Sequence, residues 1–138
     1  MSEEDRNVAI LKKAYGRWSD TLGGSVDDWL AICSEQISFG SLAQGPQGAR
    51  YLTDYRSRDA LKEYFAGLER DWQMIEFASE HFVAQGDRVV MLGRCAWRYK
   101  KTGKVVWTHK ADSWRFADGK AVEYFEFFDT AQVHAAVT

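Results

Sequence analysis

The sequence lacks the features that identify linkers, repeat proteins, membrane proteins and secreted proteins. It has one proline in 138 residues, and no low-complexity tract or internal repeat, so it is not typical of a linker or repeat protein. No apolar run approaches the roughly 20 residues that cross a bilayer. The polar, acidic start, Met1–Arg6, is not a signal peptide. We therefore expect a cytoplasmic protein without a membrane partner.

Cysteine, histidine and excess positive charge are also scarce. Cys33 and Cys95 fall in different predicted elements, and His81, His109 and His134 show no ligand spacing, so we expect reduced thiols, no metal and no cofactor. The net charge is −2, with both signs interspersed. Without a basic stripe, nucleic acid is not an expected partner.

Aromatic and apolar residues, by contrast, are plentiful. The sequence is 46% hydrophobic and 14% aromatic, with six Trp, six Tyr and eight Phe. A chain of this length is one domain's worth, so we expect a single domain over residues 1–138. Its apolar content suffices for a core and for a cavity or an oligomer face as well.

Apolar residues at steps of three and four predict three helices in the first half. Gly23-Gly24 ends the first helix, Ser25 caps a short second one, and Ser57 caps the third. The apolar faces are Val8, Leu11, Tyr15, Trp18 and Leu22, then Val26, Trp29, Leu30 and Cys33, then Leu61, Tyr64, Phe65, Leu68 and Trp72. Residues 37–39 predict a short strand. The loop 40–56 holds three glycines and the one proline, and such long loops often serve as lids.

From Met74 onward the apolar period changes to two, which predicts four strands. Each connecting turn contains a glycine, as hairpin turns often do. The strands cover about 74–84, 88–100, 104–116 and 121–130, and the turns are Gln85-Gly86-Asp87, Lys101-Thr102-Gly103 and Ala117-Asp118-Gly119. Helices followed by an antiparallel meander indicate an α+β fold, with the helices on one face of a curved sheet.

The two faces of this sheet follow if the last two turns are three-residue loops. Lys110 then lies opposite both Arg94 and Glu126, although a one-residue slip would reverse the faces beyond it. One face carries Val90, Leu92, Arg94, Thr108, Lys110, Asp112, Trp114, Tyr124, Glu126 and Phe128, and the other carries Met91, Cys95, Trp97, Trp107, His109, Ala111, Phe125 and Phe127.

The charged side chains on the first face predict a pocket. A concave sheet covered by helices explains charges among apolar residues, whereas a structural ion-pair network is the alternative for Arg94, Lys110 and Glu126. We expect the wall to contain Tyr15, Trp18, Leu92, Arg94, Lys110, Asp112, Trp114, Glu126 and Phe128. His81 faces either this pocket or solvent.

The second face predicts an assembly. Trp97, Trp107, Phe125 and Phe127 together form an apolar patch too large to leave in water. We expect a homodimer packed sheet to sheet, and the alternative is that some of these residues lie at a rim.

Several motifs resemble SnoaL-like and ketosteroid-isomerase-like proteins of the nuclear transport factor 2-like superfamily. They are Tyr15, the 24–28 and 57–65 segments, Gln85–Val90, the 114–120 hairpin and Phe128-Asp129-Thr130. The resemblance covers nearly the whole chain. It implies a cone-shaped fold in which three N-terminal helices pack on a curved antiparallel sheet around a pocket.

The resemblance also implies roles for individual residues. Tyr15 and Asp112 resemble the tyrosine and the protonated aspartate that form the ketosteroid isomerase oxyanion hole. Ser41 stands near the position of that family's general-base aspartate. Related limonene epoxide hydrolases have an aspartate at the position of Glu126 and an arginine at that of Arg88, but Val90 stands where their second aspartate would be.

Each of these residues also has a purely structural explanation. Tyr15 is either catalytic or a core tyrosine, and Asp112 is either paired with Arg94 or Lys110 or held protonated for a ligand. Glu126 is the best remaining base, or a partner of Lys110. We therefore expect a cofactor-free acid–base enzyme, an isomerase, cyclase or dehydratase, acting on a compact apolar carbonyl compound. The alternative is a non-catalytic ligand-binding or dimerisation module.

Overall fold

The structure is a computed structural model that describes residues 1–42 and 55–138. Residues 43–54 make up most of the predicted loop 40–56. The interpretation of that loop as a lid therefore lies outside the described residues.

The described residues form four helices around one five-stranded sheet. The elements are α1 (Glu3–Asp20), α2 (Val26–Ile32), β1 (Cys33–Ser41), α3 (Arg58–Asp71), β2 (Trp72–Gln85), β3 (Arg88–Tyr99), β4 (Val105–Ala117), β5 (Lys120–Phe128) and α4 (Thr130–Val137). In the sheet the strands follow the order β1-β5-β4-β3-β2. The fold is α+β, as the sequence predicts.

The helices begin where the sequence places their caps. Ser2 and Asp5 form a reciprocal capping box at α1, and the Ser57 side chain accepts a hydrogen bond from Ala60 N at α3. Ser25 holds the N-cap position of α2 without a side-chain bond. Within residues 1–42 and 55–138, none of the helices has the length and apolarity needed to span a bilayer.

Two elements differ from the sequence prediction. β1 is nine residues long and pairs with β5 in parallel, so the sheet is mixed rather than wholly antiparallel. Residues 130–137 form a helix, because the Asp129 carboxylate accepts a hydrogen bond from Gln132 N and begins α4. Val133 and Ala136 then bury the inner face of this helix.

The predicted register between β3 and β4 is wrong by one residue. Tyr99 N donates to Lys104 O at 2.9 Å and Gly103 N to Tyr99 O at 2.8 Å, so the loop has four residues instead of three. Lys110 therefore lies opposite Gly93, and Arg94 opposite His109. Because strand side chains alternate, this shift reverses the whole of β3.

The register between β4 and β5 differs by two residues. The turn consists only of Asp118 and Gly119, whose φ angles of 51° and 79° are typical of a two-residue hairpin. A bulge between Arg115 and Phe116 adds a second shift of one residue. Two such shifts preserve the alternation, so Asp112 and Glu126 stay on the predicted face as direct cross-strand neighbours.

The outer face of the sheet keeps most of its predicted apolar residues. Trp107 and Phe127 remain 44% and 43% exposed, and Phe125 packs against Phe127. The predicted place of Trp97 on the outer face is wrong. The reversal of β3 turns its side chain inward, among the residues that line a cavity. Leu92 takes its place on the outer face and is exposed there.

Gly93 permits the close approach of β2 and β3. A Cβ at this position would lie 2.1 Å from Ala78 O, well inside contact distance. We predict that Gly93→Ala lowers the free energy of unfolding by at least ~2 kcal/mol, measured by urea denaturation. Gly16→Ala is the control, since nothing lies within 4 Å of its Cβ and helical alanine should stabilise by about 0.5–1 kcal/mol. Equal midpoints for the two variants would contradict this account of Gly93.

Candidate functional site

A cavity of about 100 Å³ lies between the helices and the inner face of the sheet. Most of its wall is aromatic, including Trp18, Trp29, Phe65, Phe77, Trp97 and Trp114. Ionisable side chains enter this wall only from β4 and β5, apart from tyrosines and cysteines, in the described part of the chain. A small apolar space with a few convergent polar groups is the usual form of a small-molecule site.

Lys110 lies at the centre of the polar groups. Its Nζ is 3.0 Å from Asp112 Oδ1, 3.3 Å from Glu126 Oε1 and 3.0 Å from the Tyr124 hydroxyl oxygen. Although burial disfavours the charged amine, the two carboxylates raise the pKa of Lys110 above its ordinary value. The side chain is therefore an ammonium that holds two buried carboxyl groups together.

Asp112 carries an oxygen with no hydrogen-bond partner. Its Oδ2 accepts a hydrogen bond of 2.5 Å from the Tyr15 hydroxyl, which itself accepts one of 2.9 Å from Trp114 Nε1. Oδ1 is within ion-pair distance of Lys110 but lacks hydrogen-bond geometry to any group. Burial, with the charge of Glu126, raises the pKa of Asp112 against the opposing effect of Lys110. Asp112 is thus inclined to hold a proton.

Tyr15 is held as a neutral donor. Burial, and then the Asp112 carboxylate, raise the pKa of Tyr15 well above its ordinary value. Its ring stacks on Phe77 and meets the edge of Trp29. The phenol is therefore fixed on both sides and directs its proton toward Asp112.

Glu126 is surrounded by donors. Ser41 Oγ donates to Oε2 at 2.8 Å, and Tyr124 and Tyr64 donate to Oε1 at 2.9 and 3.3 Å. With Lys110, these groups match the acceptor-only character of a carboxylate. Glu126 is only 2% exposed, so its lone pairs face the protein and the cavity rather than bulk water.

The parallel pairing of β1 with β5 brings Ser41 to this site. Ser41 lies directly beside Glu126 in the register, and its hydroxyl donates a hydrogen bond to this glutamate, which the sequence singled out as a candidate base. Sequence analysis gave no site role to Tyr64 or Tyr124, although the apolar stripe of α3 and the period of β5 place both on the inner side. Their hydroxyl contacts come from tertiary packing alone.

The cavity wall contains seven of the ten predicted site residues. They are Tyr15, Trp18, Lys110, Asp112, Trp114, Glu126 and Phe128. The other three, Leu92, Arg94 and His81, lie outside this cavity, so their predicted place in its wall is wrong. Leu92 and Arg94 are on the reversed strand β3, and His81 pairs with Leu92 on the outer side. Arg94 forms ion pairs with Glu80 at 2.8 Å and Glu76 at 3.5 Å.

In the part of the chain that the structure describes, the cavity wall has neither a cluster of metal ligands nor a reactive thiolate. In the described residues, no three His, Cys, Asp or Glu side chains lie close enough together to hold a metal ion. Cys33 and Cys95 both line the wall, but burial raises the pKa of Cys33 to about 12 and that of Cys95 to about 11. Both are therefore thiols near neutral pH and weak nucleophiles.

The sequence identifies the family to which this protein belongs. Residues 15–124 match the model of the SnoaL-like domain, which is more than half of the chain, and the protein belongs to that family. No curated protein matched the sequence.

Solved structures share the fold over its full length. An NTF2-like protein from Burkholderia thailandensis is 27% identical, with 100% of this chain and 99% of that one covered and a TM-score of 0.80. TerC, crystallised with polyporic acid, is 22% identical, with 96% and 98% covered and a TM-score of 0.80. A candidate SnoaL-like polyketide cyclase from a Jannaschia species is 18% identical, with 99% and 95% covered and a TM-score of 0.79.

We predict that Lys110→Met destabilises the protein in a pH-dependent way. Without the ammonium, Asp112 and Glu126 face each other, and the loss near pH 7 should be about 3–5 kcal/mol. The pKa of Asp112, already raised by burial, should rise further. The folded state then binds a proton more strongly than the unfolded chain, so stability should increase as the pH falls toward 5.

Urea denaturation at both pH values measures this effect. Lys62→Met is the control, because Lys62 is 65% exposed and contacts only Asp59 among the ion pairs described; it should change stability little at either pH. An equal loss at pH 7 and pH 5 for Lys110→Met would show that the carboxyl pair does not carry the effect.

Proposed function

We propose that this protein is a small-molecule enzyme that uses acid–base chemistry on a compact, largely apolar carbonyl compound. The observation that carries the proposal is the pair of cross-strand carboxyl groups, Asp112 and Glu126, joined through Lys110 in an aromatic cavity. Two carboxyl groups in different environments can divide the roles of acid and base. Isomerisation, cyclisation and dehydration adjacent to a carbonyl all require this division.

The acid side of the proposed site is Asp112 with Tyr15. Asp112 lines the cavity; its Oδ1 has no hydrogen-bond partner and lies 3.0 Å from the Lys110 ammonium. A proton on this carboxyl group would be donated to a substrate carbonyl oxygen. Tyr15 and Trp114 form a donor chain that ends on the other oxygen of the same carboxyl group. As Asp112 gives its proton to the substrate oxygen, these donors would stabilise the carboxylate that is left on Asp112 without reorganising.

The base side is Glu126. Its Oε2 accepts a hydrogen bond from Ser41, and this carboxylate would accept a proton from the carbon next to the carbonyl. Lys110 stays charged and tunes both carboxyl groups, so the proton can move without leaving two buried negative charges unpaired. The names of relatives support this reaction class, since one is a candidate polyketide cyclase and another a candidate isomerase from Bacillus subtilis.

The donor shell of Glu126 favours a second candidate, a ligand-binding module without catalysis. Ser41, Tyr64, Tyr124 and Lys110 all donate to this carboxylate, and a base so well satisfied is a weak one. In that case the cavity would bind a carbonyl compound through Asp112 and leave it unchanged.

We also propose that a second copy of the chain covers the outer face of the sheet. The apolar patch there consists of Leu92, Val105, Trp107, Phe125 and Phe127, four of them at least 40% exposed. Contiguous apolar surface of this kind is typical of interfaces between subunits.

We predict that Glu126→Gln lowers proton exchange at a ketone by roughly 10²–10⁴-fold, the usual contribution of a general base. The measurement is loss of the α-proton NMR signals of 2-indanone in deuterated water, with melting temperature recorded on the same sample. Glu123→Gln is the matched control, since Glu123 lies on the same strand and pairs with Arg88 and Arg115 on the outer face. Its exchange rate should equal that of the wild type.

Two results would reject the catalytic role. A large loss of stability with intact exchange per folded molecule would make Glu126 a structural partner of Lys110. Binding of 2-indanone without exchange above the buffer rate would favour the non-catalytic module.

For the assembly, we predict a sedimenting species of about twice the chain mass at micromolar concentration. Trp107→Lys should shift it toward the monomer, because a charge would enter the apolar patch. Leu22→Lys changes another exposed apolar residue, 57% exposed against 44% for Trp107, in the connection after α1 and should leave the dimer intact. A wild-type monomer would rule out this interface.

A further inference from the structure

Trp72, a residue of the cavity wall, has a buried N–H without a hydrogen-bond partner. Among the residues that the structure describes, four buried side-chain atoms lack a hydrogen-bond partner: Asn7 Nδ2, Ser25 Oγ, Trp72 Nε1 and Asp112 Oδ1. Of these residues only Trp72 and Asp112 line the cavity. Trp72 is 5% exposed, so its N–H has no access to bulk water, and a buried donor without an acceptor is unfavourable.

Trp72 and Asp112 lie on distant parts of the sheet. Trp72 pairs with Tyr99 next to the β3–β4 loop, whereas Asp112 pairs with Met91. Met91 and Tyr99 are eight residues apart on β3, roughly 26 Å along the strand. Both side chains line the same cavity, so a single molecule that contacts both must be elongated.

Apolar residues also line this cavity. They include Leu68, Trp97, Val106 and Val133, and the indole ring of Trp72 packs against Tyr99 with ring centroids 4.9 Å apart. Trp72 Nε1 can only donate. A ligand that satisfies it must therefore place an acceptor atom, such as a carbonyl, ether or hydroxyl oxygen, at the end of an apolar body.

We propose that the cavity recognises a two-ended ligand, with one oxygen at Asp112 and a second, acceptor oxygen at Trp72 Nε1. Trp72 is then a specificity-determining residue that separates such compounds from ketones with a plain hydrocarbon tail. The inference rests on the proposed function only in that a carbonyl compound binds in the cavity. It does not require that the protein turn the compound over.

Matched pairs of ketones test this proposal. The probes are straight-chain methyl ketones of eight and ten carbons, each compared with the diketone of the same length that carries a second acetyl end. Calorimetric titration of the wild type should show tighter binding of at least one diketone than of its monoketone, by about 3- to 10-fold, the worth of one neutral hydrogen bond. Trp72→Phe keeps an aromatic ring but removes the N–H, so the gain from that hydrogen bond should be lost and the ratio should fall to the purely statistical factor for two equivalent carbonyl ends.

Trp18→Phe is the control for the loss of an indole ring from the same cavity. Trp18 is not among the residues with an unpartnered atom, so this change should alter the affinities for monoketone and diketone by the same factor. The melting temperature of Trp72→Phe without ligand should equal or exceed that of the wild type, because the variant no longer buries an unpaired donor.

A measurement on the wild type covers the case in which Trp72→Phe fails to fold. In a ¹H–¹⁵N spectrum, the indole N–H signal of Trp72 should move downfield with the diketone and stay in place with the monoketone. A wild type that binds both ketones equally, or a diketone preference above the statistical factor that survives Trp72→Phe, would overturn the proposal. A diketone preference that depends on Trp72, without proton exchange at any ketone, would instead reject the enzyme and keep the two-ended site.

Discussion

The contact of Lys110 with Asp112 and Glu126 is the constraint on which the rest of the site depends. Two carboxyl groups lie opposite each other on β4 and β5 and are nearly inaccessible to water. Such an arrangement is very unfavourable unless a cation or a proton compensates it. Lys110 supplies the cation, and the raised pKa of Asp112 leaves room for the proton. The cluster is therefore stable only as a unit.

The surrounding structure holds this cluster in place and shields it from bulk water. Three separate elements contribute a hydrogen-bond donor to one of the two carboxyl groups: Tyr15 from α1, Tyr64 from α3 and Ser41 from β1. The positions of these elements therefore determine the geometry of the cluster. Aromatic rings fill the space between them, and stacked pairs such as Trp29 with Trp114 leave a small cavity beside the charges. In this low-dielectric setting each polar contact is stronger than it would be in water.

Local signals were enough to predict most of the fold. The apolar steps in α1 and α3, the caps at Ser57 and the period of two after Met74 depend on neighbouring residues, so they are readable from the sequence. Register depends on turn geometry, where one residue matters. A four-residue loop reversed β3 and displaced Arg94, Leu92 and Trp97 from their predicted faces. On β5 the short turn and the bulge together shifted the register by two residues. A shift of two preserves the alternation of side chains, so Glu126 stayed on its predicted face.

The sequence by itself determined the class of fold and the presence of Tyr15, Lys110, Asp112 and Glu126 on inward-facing stripes, because periodicity fixes which side of an element a residue occupies. Only the tertiary structure decided which of these groups touch. Ser41 meets Glu126 through a parallel pairing between strands 85 residues apart, and Tyr15 meets Asp112 across 97 residues. Contacts at such separations depend on how whole elements pack, and no local pattern in the chain records that.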